Sequence, residues 1–217
     1  MNLWDEYKVA LEGTRPGDHP LCPGMDVPWY WKYREETGSN DEFPGLESTK
    51  VDLDEYNKDK HPLQRKCLLF YRTLGQMPPD PNLHLCAHLY ASDRNSLYIV
   101  TNLMDMGDLF TQMSSLIHTT VFHGPMKHLM FGPSEANTTP MDDIEGNGRW
   151  YGKEDWTTQS ANGRAMFHGR LWAPNGLQIA TLMQDGMIRY TKKPDATASE
   201  LVVIEERRKN WKPREKL

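Results

Sequence analysis

The sequence lacks the features that would place it in a membrane, in a secretory pathway or on a nucleic acid. No apolar run approaches the ~20 residues that a membrane span requires, and the opening string MNLWDEYKVALEG has neither the basic nor the apolar part of a secretory signal. The net charge is −5, and no stripe of Lys and Arg occurs outside the C-terminal tail. We therefore expect an intracellular protein with no membrane span and no nucleic-acid partner.

Cysteine is also scarce, and the common signature of a serine hydrolase is missing. The three cysteines, Cys22, Cys67 and Cys86, form no CxxC pair, and one would be left over in any disulfide scheme, which suits a reducing compartment. Cys67 and Cys86 lie within apolar runs, so we expect core residues rather than nucleophiles or ligands. Because no G-x-S-x-G string is present, a serine-nucleophile hydrolase is disfavoured.

The chain of 217 residues, 38% of them hydrophobic, fits one ordinary domain with an appendage or two small domains. Residues 1–60 are rich in Pro, Gly and acids without a sustained period, and we predict an irregular N-terminal segment over 1–50. Two exceptions are a short helix over Met1–Glu12 and a short strand over Val51–Tyr56. A domain over 51–193 and a charged tail over 194–217, helical over Glu200–Lys209, complete the prediction.

Within 51–193 the pattern predicts one long helix and a set of strands. The helix begins near Asp80-Pro81, an N-cap followed by proline, and runs on through NSLYIVTNL. Its predicted core face is formed by residues at three- and four-residue spacing: Leu83, Cys86, Ala87, Tyr90 and Ala91. Strands are predicted over Lys66–Arg72, Ser115–His123, Trp150–Thr158, Ala165–Ala173 and Leu177–Tyr190. A long loop is predicted over 126–148, and Pro174-Asn175-Gly176 is the strongest hairpin signal. This pattern favours an α+β domain whose antiparallel sheet wraps around the helix, as in a hot-dog fold.

Three polar residues stand at the edges of these apolar elements: Asp93 in LYASDRNSL, Ser115 in SSLIHTTVFHG and Gln184 in IATLMQDGMIRY. Buried polar groups need partners, so we expect the three side chains to meet. A carboxylate such as Asp93 can take a proton from water, while Ser115 and Gln184 can orient that water. If such a water attacked a carbonyl group, backbone N–H groups at a nearby helix end would stabilise the oxyanion that forms.

Each of these residues also has a structural interpretation. Asp93 could be a helix cap in a surface turn, and Ser115 an ordinary residue at the start of a strand. Gln184 is the strongest of the three, because an amide inside an apolar strand is uncommon and requires partners.

The histidines allow a metal interpretation, which we do not favour. His84 and His88 have the i, i+4 spacing of metal ligands, but no third ligand stands nearby at ligand spacing, so no metal is expected. His118 and His123 are expected to support the sheet or the substrate slot.

The same strings resemble the acyl-CoA thioesterase II family. DPNLHLCAHLYASDRNSL is similar to that family's "LHxCxxAYxSD" helix, SLIHTTVFHG to its "SLDHSMWFH" strand and GRAMFHGRLWAPNGLQIATLMQDGMIR to its "GLVHGRLWxxDGxLxxxxxQEGxxR" hairpin. The resemblance covers roughly residues 50–192 and implies a hot-dog fold, with Asp93, Ser115 and Gln184 at the catalytic positions. VDLDEYN and YASDRNSL look most like members from filamentous fungi.

The sequence departs from the family in three places. The family has two hot-dog repeats, and only the C-terminal repeat is recognisable here, so a homodimer is expected to supply the missing partner. Ile117 stands where the family often has Asp, and Asp185 stands in place of a Glu.

The resemblance implies hydrolysis of acyl thioesters of coenzyme A, or of a carrier protein, in lipid metabolism by activated water. Coenzyme A would enter as part of the substrate, so no cofactor is expected. The alternative is a catalytically diverged hot-dog protein with a binding or accessory role in a fungal polyketide or fatty-acid-derived (secondary-metabolite) pathway. The expected compartment is the cytoplasm, with the peroxisome as the alternative, because the final Lys216-Leu217 matches part of the S-K-L signal.

Overall fold

The structure is a computed structural model that describes residues 2–38, 44–132 and 149–190. The predicted C-terminal helix, the charged tail and most of the predicted 126–148 loop lie outside the described residues. The helices are α1 Leu3–Glu6, α2 Pro28–Thr37, α3 Asp54–Asn57, α4 Pro81–Asp93 and α5 Ser96–Leu103. The strands are β1 Leu46–Lys50, β2 Cys67–Thr73, β3 Phe110–Phe122, β4 Tyr151–Ala161, β5 Arg164–Trp172 and β6 Gln178–Tyr190.

The six strands form one antiparallel sheet in the order β1-β2-β4-β5-β6-β3. One face of the curled sheet packs on the helices, with α5 against β3, β4 and β5 and α4 against β3. The main core between them includes Leu69, Val100, Phe167 and Leu182. A sheet wrapped around a central helical element confirms the expected α+β, hot-dog class.

The N-terminal segment covers the opposite face of the sheet. Leu3, Tyr7 and Leu11 recur at every fourth position, are buried, and join a second cluster with Phe70 and Trp172. Strand β2 is therefore buried on both faces, which explains why its sequence, CLLFYRT, is almost uninterrupted in apolar and aromatic residues.

Several local predictions in the first 60 residues are wrong. The strand expected over Val51–Tyr56 lies instead at Leu46–Lys50, where it pairs with β2. Val51 and Leu53 are apolar because they pack in the second cluster, and Asp52 then accepts the Asp54 N–H at the start of α3. The helix expected over Met1–Glu12 is confined to α1, and α2, which begins at a proline, was not anticipated. The division of domains at residue 50 stays a prediction.

The long helix is two helices, and of its predicted core face only Ala87 and Ala91 pack in or against the main core. The Asp80 cap and Pro81 start are confirmed, but the helix breaks after Asp93, where Asn95 adopts a left-handed conformation with φ of 57°. The buried face of α4 is His84, His88, Ala91 and Ser92. Leu83 and Tyr90 are exposed, as is Cys86, so Cys86 is not a core residue.

Within the described residues, no helix is both long enough and apolar enough to cross a membrane.

Candidate active site

Asp93, Ser115 and Gln184 lie together between the end of α4 and strands β3 and β6. Gln184 is fully buried, and its Nε2 donates to Asp93 Oδ1 at 2.8 Å and to Ser115 Oγ in a second, short contact. Its Oε1 is also buried and has no hydrogen-bond partner within the described residues. The side chains of Asp93 and Ser115 are exposed, so one edge of this polar group is open to a ligand.

A β-bulge in β3 gives Ser115 its orientation. Side chains three positions apart in a regular strand point to opposite faces, so Ser115 and His118 would be separated by the sheet. The register shifts between Ser115 and Ile117, so that Ser115 pairs with Gly186 and His118 with Gln184. Because Gly186 and Gln184 share a face, the extra residue places Ser115 and His118 on the same face.

The helix break that follows Asp93 is held by hydrogen bonds from two directions. Asn95 accepts from the Asp26 N–H and donates to the Pro23 carbonyl, so residues of the N-terminal segment support its left-handed backbone. From the sheet, the buried Lys153 Nζ donates to the Arg94 carbonyl oxygen at 2.6 Å. The position of Asp93 is thus fixed by long-range contacts as well as by its own helix.

His118, which was expected to support the sheet or the substrate slot, is a neighbour of this group. Its Nδ1 lies 3.6 Å from Asp93 Oδ1, and its Nε2 lies 2.9 Å from Ser92 Oγ. Desolvation lowers the pKa of His118, while the Asp93 carboxylate acts in the opposite direction and the Lys153 ammonium in the same direction. The signal available in the sequence was its position three residues after Ser115 in a strand that could carry a bulge.

His84 and His88 are committed to internal hydrogen bonds. His84 Nδ1 accepts the Phe131 N–H at 3.0 Å, and its Nε2 donates to a backbone carbonyl. His88 Nε2 donates to the Leu129 carbonyl, and its Nδ1 accepts from the Tyr71 hydroxyl at 2.7 Å. Burial lowers the pKa of His88 to about 3, so the ring is neutral. With all four ring nitrogens occupied, these histidines have no lone pair left for a metal. Over the described ranges there is no group of three or more His, Cys, Asp or Glu side chains placed to bind one.

Comparison with solved structures identifies hot-dog thioesterases of low sequence identity. The chain aligns with the acyl-CoA thioesterase II TesB2 from Mycobacterium marinum with 21% identity and a TM-score of 0.50, over 81% of this chain and 57% of that protein. A tesB protein from Mycobacterium avium subs paratuberculosis gives 15% identity and a TM-score of 0.46, over 78% of this chain and 54% of that one. A putative thioesterase from Syntrophus aciditrophicus gives 10% identity and a TM-score of 0.48, over 74% of this chain and 97% of that one.

The chain thus spans little more than half the length of the two mycobacterial proteins. At these identities the likeness establishes the fold alone. A scan against protein-family models gives no match, and neither does a sequence comparison with curated proteins. The resemblance to members from filamentous fungi is untested and stays a prediction.

Proposed function

We propose that this protein hydrolyses acyl thioesters by direct attack of water, in the manner of the acyl-CoA thioesterase II family. The observation that carries the proposal is the convergence of Asp93, Ser115 and Gln184 through one buried amide. The residues come from three separate elements, and Gln184 is buried although burying an amide costs free energy unless it is paired. Similarity of fold to a TesB2 thioesterase supports the same reaction class.

In the proposed reaction Asp93 is the general base and the other two side chains orient the water. Gln184 donates to both Asp93 and Ser115, which fixes the two acceptor oxygens relative to each other. A water between Asp93 and Ser115 would donate one proton to the carboxylate and turn a lone pair toward the thioester carbonyl. No covalent intermediate is required, because over the described residues Ser115 Oγ contacts the Gln184 amide and makes no hydrogen bond to a base that would turn it into a nucleophile.

The oxyanion of the tetrahedral intermediate needs donors close to Asp93. Helix α5 begins at Ser96, three residues beyond Asp93, and the N–H groups of its first turn have no partner within the helix. Their dipoles favour negative charge, so we assign the oxyanion to the N-terminus of α5.

The test is thiol release from a panel of acyl-coenzyme A and acyl-carrier thioesters, which would also identify the acyl group. Asp93→Asn keeps the shape of the side chain and removes the base, and we expect kcat to fall by about 10²- to 10⁴-fold. Asp59→Asn is the matched control, because Asp59 is exposed and distant from β3 in sequence. Full activity in Asp93→Asn, or no turnover with any thioester, would show the proposal to be wrong.

The alternative, a catalytically diverged binding or accessory protein, is favoured if the three side chains point apart. Their shared hydrogen bonds favour hydrolysis instead. The place of the reaction in lipid or secondary metabolism, and the choice between cytoplasm and peroxisome, stay proposals that the resemblance carries. The Lys216-Leu217 signal lies outside the described residues.

We further propose that the working form is a homodimer joined along β3. This strand is at the edge of the sheet, and Leu116, Ile117 and Val121 on it are 50–60% exposed. A long apolar edge strand exposes both unpaired backbone groups and hydrophobic side chains, and pairing with a second copy would cover both.

A further inference from the structure

The hydrogen bonds around His118 determine which of its nitrogens carries the proton. Ser92 is buried, and its hydroxyl donates to the Leu89 carbonyl at 2.7 Å, so the single hydroxyl proton is already used. The Ser92 oxygen can therefore only accept from His118 Nε2, 2.9 Å away. Thr120 Oγ1 also approaches Nε2, at 3.5 Å. In the neutral ring the proton is on Nε2, and Nδ1 carries a lone pair.

That lone pair faces a carboxylate. His118 Nδ1 is buried without a hydrogen-bond partner within the described residues, and Asp93 Oδ1 lies 3.6 Å away. Two acceptors at this distance repel each other, whereas one added proton turns the contact into a charge-assisted hydrogen bond. The other charged group that acts on His118 is Lys153 on β4, which disfavours a resident proton, while Gln184 on β6 is neutral.

We propose that Asp93 and His118 form a proton-sharing pair in which His118 is neutral at rest and receives on Nδ1 the proton that Asp93 takes from the attacking water. The inference rests on the proposed function. It makes His118 a positioning and proton-holding residue rather than a support for the sheet. Desolvation of the ring, which keeps it neutral near pH 7, agrees with this role.

The proton balance of the step is complete without another reactant. The water O–H bond breaks, and its electron pair forms the new C–O bond at the thioester carbonyl carbon. The π pair of the carbonyl moves onto its oxygen as the oxyanion, and it reforms the C=O bond when the intermediate collapses. The proton of the water passes through Asp93 to His118. When the tetrahedral intermediate collapses, the C–S bond breaks and the sulfur takes its electron pair. The proton returns from His118 through Asp93 to that sulfur, giving a carboxylic acid and a thiol. Apo distances of this kind shorten when substrate is bound, so 3.6 Å is compatible with the transfer.

The first test of the pair does not depend on activity. The ring nitrogens of ¹⁵N-histidine-labelled protein are followed by NMR as the pH is changed. We expect the neutral Nε2–H tautomer at pH 7 and a pKa below 6.5, the ordinary value. Asp93→Asn should lower that pKa further, since it removes a negative charge 3.6 Å from the ring that favours the protonated form. An Nδ1–H tautomer at pH 7, or a pKa unchanged in Asp93→Asn, would overturn the pairing.

The role of His118 as proton acceptor in the reaction is tested with His118→Gln, whose amide can still donate to Ser92 but cannot bind a proton. We expect kcat to fall by about 10- to 100-fold with KM nearly constant, and the acid limb of the kcat–pH profile to disappear. His61→Gln makes the same change at an exposed position ahead of β2, distant in sequence from β3, and should leave rate and profile unaltered. An active enzyme in which His118→Gln keeps the wild-type kcat and profile would overturn the inference while leaving the proposed function intact. No turnover in the wild type would overturn the proposed function and the proton-accepting role together, and the NMR titration would still decide whether the pair exists.

Discussion

Asp155 is a buried carboxyl that should make the stability of this protein depend on pH. Its side chain is fully buried on β4, neither oxygen has a hydrogen bond within the described residues, and Lys153 Nζ lies 3.5 Å from Oδ2. Burial raises the pKa of Asp155 from 3.8 to about 7 in spite of the Lys153 ammonium. The folded protein therefore holds a proton on Asp155 between about pH 4 and pH 7 that the unfolded chain releases.

The sign follows from this difference in bound protons. Stability from Asp155 is fully present below its unfolded pKa, falls as the pH rises through the window, and is lost above about pH 7. Each pKa unit corresponds to about 1.4 kcal/mol, so the whole window amounts to at most ~4 kcal/mol. Asp155→Asn places an uncharged amide there at every pH, while Lys153 keeps its hydrogen bond to the Arg94 carbonyl.

The measurement is urea unfolding of wild type and Asp155→Asn from pH 5 to pH 8, at one protomer concentration because a dimer would add a concentration dependence. We expect the two proteins to be closest at pH 5. The variant should gain on the wild type by roughly 3 kcal/mol between pH 5 and pH 7, and the difference should then level off. Asp59→Asn replaces an exposed carboxylate, and its free energy of unfolding should follow that of the wild type at every pH. An equal difference between Asp155→Asn and wild type at pH 5 and pH 8 would refute the reasoning.

Two further predictions concern the edges of the site. Gly186→Ala places a Cβ 2.6 Å from Leu97 Cδ2, so the Leu97 side chain must leave its position or α5 must shift. We expect a loss of ~1–3 kcal/mol in urea unfolding and a reduced kcat, and Gly186→Ala/Leu97→Ala should recover part of the stability. If the single variant is as stable as the wild type, the close packing of α5 on β6 is not needed. Ile117→Lys, at a position 60% exposed on the edge strand, should shift the protein from dimer to monomer in light scattering, whereas Lys32→Glu on the exposed side of α2 should not. A wild-type monomer at micromolar concentration would contradict the proposed pairing.

What the sequence allowed us to predict was set by local patterns. Apolar runs predict buried strands such as β2 and β6, and the Asp80-Pro81 cap predicts the start of α4. The Asn162-Gly163 turn between β4 and β5, with both residues at positive φ, carries a local hairpin signal as clear as that of Pro174-Asn175-Gly176.

The features that the sequence did not predict depend on contacts between residues far apart in the chain. The buried face of α4 carries His84 and His88, and histidines are stable there only because β2 and the loop around residue 130 supply their partners. The break at Asn95 depends on residues some 70 positions earlier. The bulge at Leu116 is visible only once β3 is aligned with β6. Gln184 could be singled out because burying an amide is costly wherever its partners come from.

The second cluster sets an order in which this protein can be built during synthesis. Leu3 donates its backbone N–H to the Gly176 carbonyl, and the segment that follows packs on Phe70 and Trp172. The segment from Leu3 to Leu11 must therefore wait for the turn between β5 and β6 before it can pack in its final position. Strand β3 waits as well, since its partner β6 is the last described strand to be made. Until β6 is made, β3 has no strand to pair with and β5 presents an open edge, and contacts this distant in sequence form slowly. The chain is thus most dependent on protection from aggregation just before β6 emerges.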